Sequence, residues 1–230
     1  MPDAQPPPPS PERRSGLRIN RTSPPPGQQV FRESALAHRL LDGLRGLEIG
    51  GASHNPFGLA TRNVDYTGDL DTVFKQEEAL RAGRPMPVDL VAPGDRLPVP
   101  DGSEDFVVSS HVLEHFFDPI AALQEWFRVI RPGGFIFAIV PHKERTFDAP
   151  RPRTTLQELI ERHDGRRALA PGVDLHTHHS VWITQDLVEL IRHLGWPLVA
   201  VQDMDDKVGN GFTVVIQKPP RPGAGAEVRP

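Results

Sequence analysis

The chain contains no cysteine. Disulfides and thiolate metal sites are therefore ruled out, and the composition fits a reducing compartment such as the cytoplasm. Long apolar runs are missing too. No stretch approaches the roughly 18 residues needed to cross a bilayer, so no membrane span is expected. The opening MPDAQPPPPSPERR lacks the apolar segment of a secretory signal. Nor is there an excess of basic charge. With 26 Lys and Arg against 30 Asp and Glu, the formal charge is −4, which offers no electrostatic footprint for nucleic acid.

Proline is what the chain has in plenty, and many of its 26 prolines sit near the two ends. Residues 1–28 carry PPPPSPERR and SPPPGQQ, and residues 219–230 are similar. Such segments bury too little apolar surface to offset the entropy of ordering, and are expected to be solvated tails. A Pro-rich tail docked in an aromatic groove is the less economical alternative. Residues 29–218 then form one domain of ordinary size.

Within that domain two periodicities alternate. Leu36, Leu40, Leu41 and Leu44 fall at helical spacing in residues 31–44. Residues 46–50 read as a short strand running into glycines, residues 63–66 as a second, 70–82 as a helix and 88–91 as a third strand. Residues 105–110 are a buried strand, after which Asp118 and Pro119 supply an N-cap and an N1 proline for a helix to Ile130. Pro132-Gly133-Gly134 stops that helix ahead of an almost wholly apolar strand at 135–140. Continuous apolar strands alternating with helices specify an α/β, doubly wound, Rossmann-like sheet covered on both faces. The C-terminal third differs. An irregular stretch at 141–182 precedes a helix from Thr184 to Gly195, and strands at 198–204 and 212–217 are joined by the turn-rich DDKVGNG. A closing hairpin makes at least one strand antiparallel.

The first strand ends in Glu48-Ile49-Gly50-Gly51. Glycine there lets the backbone approach a ligand or take positive φ, although an ordinary tight turn would show the same residues. Spacing adds information. Asp65 follows Glu48 by seventeen positions at the end of the next strand, where an acid can accept both hydroxyls of a ribose. Asp95 and Arg96 lie in PGDRLPVPDGS before the fourth strand, and an Asp in such a loop can hold an adenine amino group. Ser110 closes that strand and His111 opens HVLEH.

This order resembles the class I S-adenosylmethionine-dependent methyltransferases, in the subgroup with E-x-G, then D, then GD-x-LP-x-PD-x-S-x-D, H-x-L-E-H and R-x-x-x-PGG. The resemblance covers about residues 45–140. It implies a seven-stranded sheet whose last strand is antiparallel. It also implies that Glu48, Gly50, Gly51, Asp65, Asp95 and Arg96 bind S-adenosylmethionine, with Ser110 and His111 at its methionine end. Two features depart from the pattern. The third glycine of the first turn is absent, and only thirteen residues separate Gly50 from Val64, so the first crossover helix is expected to be shortened. A nicotinamide oxidoreductase would need G-x-G-x-x-G opening a proper helix. An inverted zinc peptidase would need His111-Val112-Leu113-Glu114-His115 on one long helix, whereas a strand precedes it and Asp118-Pro119 restarts the chain.

Ligands of open α/β sheets bind beyond the carboxyl ends of the strands, so the 141–182 segment should face the acceptor as a substrate loop or lid. An alcohol acceptor needs a base near neutral pH. His142, at the strand end, is the first candidate, with His178 and His179 next. PHKERTFD…RPRTT also resembles the corresponding loop of bacterial methyltransferases associated with polysaccharide synthesis. By that likeness Lys143, Thr146, Phe147, Asp148, Arg151 and Thr155 contact a saccharide, although Asp148 and Arg151 could simply pin the loop as an ion pair. The histidines could alternatively hold a divalent metal with Asp148, Asp164 or Asp174, and Mg2+ bridging two substrate hydroxyls would acidify them. The expectation is O-methylation of a sugar. An O-methyltransferase for another hydroxylated metabolite and a non-catalytic cofactor-binding scaffold are the alternatives. A small-molecule saccharide is the expected partner, with a homodimer left open.

Overall fold

The computed structural model describes residues 18–19, 33–173 and 176–221. Most of the expected Pro-rich ends lie outside these residues. Arg18–Ile19 (β1) is a two-residue strand running antiparallel to the start of Ala60–Asp65 (β3).

Strand β3 lies between Gly46–Ile49 (β2) on one side and the short Leu90–Val91 (β4) on the other. Beyond β2 come Glu104–Ser110 (β5), Ile130–Pro141 (β6), Gly211–Gln217 (β8) and Leu198–Gln202 (β7). Reading β4-β3-β2-β5-β6-β8-β7 gives seven strands, of which only β8 opposes its neighbours, as expected. β1 is an addition along the free edge of β3 beside β4.

Pleat alternation divides the core in two. Val107, Ile136, Ala138 and Val214 face one layer, with Leu123 and Trp126 of helix Pro119–Val129 (α3) and Leu187 and Leu190 of helix Thr184–His193 (α5). Phe106, Val108, Phe137 and Val215 face the other, with Leu36 and Leu41 of helix Ala35–Leu41 (α1). Both faces of β5 and β6 are covered, which is why these strands read as unbroken apolar runs.

Local chemistry sets the ends of the elements. Ser34 Oγ accepts the Ala37 N–H at 3.1 Å, so α1 begins later than the leucine spacing suggested. Asp118 caps α3 through the Ala121 N–H at 3.0 Å with Pro119 at N1, as expected. The expected stop at Pro132-Gly133-Gly134 is instead part of β6, which starts at Ile130 and is irregular opposite 104–106. Gly134 is required there, because a Cβ would lie 2.5 Å from the Asp105 carbonyl oxygen. The first crossover helix is absent rather than shortened. Residues 50–59 run to β3 as an irregular loop, and the next helix, Val73–Ala82 (α2), follows β3. Thirteen residues leave no room for loop, helix and return.

Candidate functional site

Strands β2, β3, β5 and β6 run parallel in register, so Gly50, Asp65, His111 and His142 emerge along one edge of the sheet. Gly50 has φ +63°, and a Cβ there would meet Val112 Cγ2 at 2.7 Å. The turn from β2 is therefore pressed against the segment that leaves β5. Gly51 is held from behind, its N–H donating to Asn63 Oδ1 at 2.9 Å, while Asn63 Nδ2 donates to the Pro87 carbonyl at 2.9 Å. Glu48 is buried and accepts from Thr61 Oγ1 at 3.1 Å. Asn55 of the loop after β2 donates to Ser110 Oγ at 3.0 Å, tying the two strand ends together.

His111 has φ +57°, the one positive φ outside glycine among the described residues. Left-handed backbone at a side chain with a Cβ costs about 1–2 kcal/mol, and such strain gathers at binding sites. Burial holds its imidazole neutral, with a pKa lowered to about 4. Asp95 and Arg96 are exposed in a turn anchored by Trp126, whose indole N–H donates to the Gly94 carbonyl at 2.7 Å.

Asp65 stands at the end of β3 with a partner that the sequence did not reveal. Lys75 of α2 is buried and reaches Asp65 at 3.1 Å and Glu78 at 3.2 Å. Glu78 in turn accepts the backbone N–H groups of Ser53 and Met86. A ribose reaching Asp65 would therefore share it with Lys75 or displace the ammonium. The donor set otherwise suits S-adenosylmethionine: a glycine turn, an acid at the next strand end, an Asp-bearing turn and the Ser110–His111 backbone.

His142 is buried immediately after β6. Its Nδ1 accepts the Glu144 N–H at 3.2 Å, which places the ring proton of the neutral form on Nε2. His142 thus presents a donor to its surroundings, whereas a base needs a free lone pair. Burial, then Arg145, lowers its pKa. Thr146 and Lys143 are engaged within the loop, donating to the carbonyls of His142 and Ala149 respectively. Thr155 caps helix Leu156–His163 (α4) through the Glu158 N–H at 3.2 Å. Asp164 is the C-cap of α4 and pairs with Arg166, while Asp174 lies outside the described residues.

The rest of the loop converges. Asp148 is buried, contacts Arg151 at 2.6 Å and accepts from His178 Nδ1 at 2.6 Å. Arg151 also donates to the His178 carbonyl at 2.7 Å. The ion pair does pin the loop, and it orients His178 as well. His178 Nε2 is 3.8 Å from Glu114 Oε1, with His115 Nε2 3.9 Å and His111 Nδ1 4.0 Å from the same oxygen. Phe147 lies against His178 with ring centroids 4.8 Å apart, and Phe74 of α2 contacts the rings of both His115 and His176. His179 stands to one side, its ring against Phe117 and its N–H donating to the Glu114 carbonyl at 2.8 Å.

Glu114 and His115 were visible in the sequence only as part of the HVLEH motif. Residues Leu113–His115 form a single 3₁₀ turn, so the long helix of an inverted zinc peptidase is not there. That turn carries Glu114 toward the loop 64 residues later in the chain. Glu114 is fully buried, and burial followed by the nearby Asp148 raises its pKa to about 8.

Residues 47–138 match the family model described as "Methyltransferase domain". The fold is that of a class I methyltransferase. The matched region holds the glycine turn, Asp65, Asp95 and HVLEH, and stops short of the 141–182 segment. A probable S-adenosylmethionine-dependent methyltransferase of Mycolicibacterium smegmatis is 45% identical over 47 residues, 20% of this chain and 18% of the relative. An uncharacterized methyltransferase of Mycobacterium tuberculosis is 32% identical over 115 residues, 50% of this chain and 44% of that protein. The chain thus spans less than half the length of either relative. Among solved structures, the 1,6-didemethyltoxoflavin-N1-methyltransferase of Burkholderia thailandensis, with bound S-adenosylhomocysteine, superposes with a TM-score of 0.50. It is 18% identical and the match covers 81% of this chain and 76% of that one, a likeness of fold. Among the described residues no helix is long and apolar enough to cross a membrane.

Proposed function

We propose that this protein transfers a methyl group from S-adenosylmethionine to a hydroxyl of a sugar or oligosaccharide. The observation that carries the reading is the convergence of two distant segments at Glu114: His111, leaving the strand edge, and His178 of the loop, itself held by Asp148 and Arg151. S-adenosylmethionine brings an activated methyl group on a sulfonium. The acceptor oxygen loses its proton and its electron pair forms the O–C bond. The C–S bond breaks onto sulfur, leaving S-adenosylhomocysteine. The chain's task is then to position the acceptor and receive the proton. We assign proton removal to the Glu114–His178 cluster in preference to His142, whose Nδ1 lone pair is already engaged.

A sugar acceptor is supported by the loop's chemistry. Phe147 is 74% exposed beside His178 and offers a face for a pyranose ring. Arg151, anchored on the buried Asp148 with its own side chain partly exposed, is a forked cation of the kind that suits polyhydroxylated ligands. The loop's resemblance to those of polysaccharide-associated methyltransferases, including the mycobacterial 1-O-methyltransferase of methylmannose oligosaccharides, makes the 1-hydroxyl of a methylated mannoside one acceptor to try.

The test combines calorimetry with a labelled-methyl assay over mono- and disaccharides, methylated mannosides and simple phenols. Binding of S-adenosylhomocysteine below millimolar concentration and label transfer to a saccharide are expected. No binding refutes the methyltransferase reading. Transfer to phenols alone refutes the sugar acceptor, and binding without any transfer favours a scaffold. Asp148→Asn should cut turnover by about two orders of magnitude while leaving cofactor affinity nearly unchanged. His142→Ala should cut it less, and a greater loss there would return the base to His142.

A further inference from the structure

We propose that Glu114, His115 and His178 form a binding site for one divalent transition-metal ion of the Zn2+ type. Among the described residues, these three place one ligand atom each within 4.8 Å of one another. From Glu114 Oε1 the two imidazole Nε2 atoms are 3.9 and 3.8 Å away. Ligands about 2.0–2.1 Å from a tetrahedral zinc ion stand about 3.4 Å apart. The two edges at Glu114 are thus about half an ångström longer than in a loaded site, and the edge between the imidazoles, within 4.8 Å, must shorten as the side chains turn inward.

An independent observation points to a cation. Glu114 has no solvent exposure, and neither carboxylate oxygen receives a hydrogen bond from another of the described residues. A buried carboxylate without a donor costs several kcal/mol, and such groups are normally paired or bound to a metal. Among the described residues no Lys or Arg pairs with it. What faces it are the imidazoles of His111, His115 and His178.

The surroundings are those of a ligand sphere supported from behind. Asp148 Oδ2 accepts from His178 Nδ1 at 2.6 Å, which fixes the tautomer and turns the Nε2 lone pair toward Glu114. Arg151 holds Asp148 through its other oxygen. Carboxylate–histidine–metal relays of this kind orient the ligand and raise its basicity. The backbone is tied as well, since the N–H groups of His179 and Ser180 both donate to the Glu114 carbonyl. Phe74 and Phe147 flank His115 and His178 and lower the local polarity.

The donor set selects the ion. Two imidazoles and one carboxylate suit zinc and its first-row neighbours, whereas Mg2+ and Ca2+ prefer all-oxygen ligation. Three protein ligands leave a position open for water or, on the reading above, an acceptor hydroxyl, whose proton a bound cation would make more acidic. With the ion in place Glu114 and His178 are ligands, and the base role assigned to them under that reading belongs to the metal-free chain. Metal binding itself does not depend on that reading.

The test uses the full chain, stripped with a chelator, desalted and titrated with Co2+ and Zn2+. One ion per chain is expected, with Co2+ giving visible bands of low-symmetry coordination that Zn2+ abolishes. Glu114→Gln and His178→Ala should each weaken binding at least tenfold, Asp148→Asn by about 10–100-fold, and His193→Ala, on α5, not at all. Thermal unfolding of each variant checks folding, and Glu114→Gln keeps the side chain's shape if His178→Ala proves unstable. Failure of either ion to bind below millimolar concentration, or binding that survives Glu114→Gln and His178→Ala, overturns the site. S-adenosylhomocysteine binding in the same samples separates the two proposals. Cofactor binding without metal binding sinks only the metal site, and metal binding without cofactor binding sinks only the methyltransferase reading.

Discussion

Replacing Gly50 by alanine tests the central junction of the site. Two independent costs follow from its geometry. The φ of +63° is left-handed, which disfavours any side chain with a Cβ by about 1–2 kcal/mol. The new Cβ would also stand 2.7 Å from Val112 Cγ2, and forcing atoms into such a contact costs about 1–3 kcal/mol. Gly50→Ala should therefore lose about 2–5 kcal/mol in urea unfolding, the sum of those two ranges. Val112→Ala alone removes part of a half-buried side chain and should lose about 1–2 kcal/mol. In the double variant the colliding methyl is gone but the backbone strain remains. Its loss should fall short of the two single losses combined by about 1–2 kcal/mol, a coupling within the usual range for touching residues. S-adenosylhomocysteine affinity should fall with Gly50→Ala and recover in part with Val112→Ala. Additivity within about 0.5 kcal/mol, with an unchanged urea dependence, would refute the claim that the glycine turn and the strand exit are packed together.

Three other outcomes follow from the same structure. Trp126→Phe leaves the Gly94 carbonyl without its indole donor, and should cost about 1–2 kcal/mol by denaturant unfolding while weakening cofactor binding through the Asp95 turn; an unchanged midpoint would contradict it. Asp118→Ala should cost about 1 kcal/mol through loss of the α3 cap, and a loss below a few tenths would mean that the cap is redundant. Lys207, buried over the Phe57 ring at 4.5 Å, has its pKa lowered by burial to about 8. The unfolded chain binds more protons than the native one between about pH 8 and 10.5, so this group adds stability as pH rises through that window. A fall from 10.5 to about 8 corresponds to about 3 kcal/mol. The wild-type minus Lys207→Met stability difference should grow by up to that amount from pH 8 to 10.5, and a flat difference would show the ammonium well solvated.

Much of the fold is legible in the residues because its signals are local. The unbroken apolar runs of β5 and β6 require cover on both faces, Asp118-Pro119 opens α3, and the Asn-Gly-bearing linker before β8 produces the antiparallel hairpin. The positions of Gly50, Asp65, Ser110 and His111 follow from the same logic, since strand ends of a parallel sheet share one edge. The loop after β2 was harder to read. Its thirteen residues indicated a short crossover, but only the packing of α2 and β3 shows that no helix forms there.

The α/β architecture, the antiparallel last strand and the line of residues along the strand-end edge can be read from the residues alone, because hydrophobic period, caps and turn residues act over a few positions. The partners of the charged groups emerge only once the chain is folded. Lys75 on Asp65, the Glu144 N–H on His142 and Asp148 on His178 depend on side-chain direction and loop path, to which periodicity is blind. Glu114 is the clearest instance. In the sequence it is one letter of HVLEH, and in the folded chain it is a buried carboxylate facing three imidazoles, because a single 3₁₀ turn and a returning loop bring residues 111–115 and 178 together.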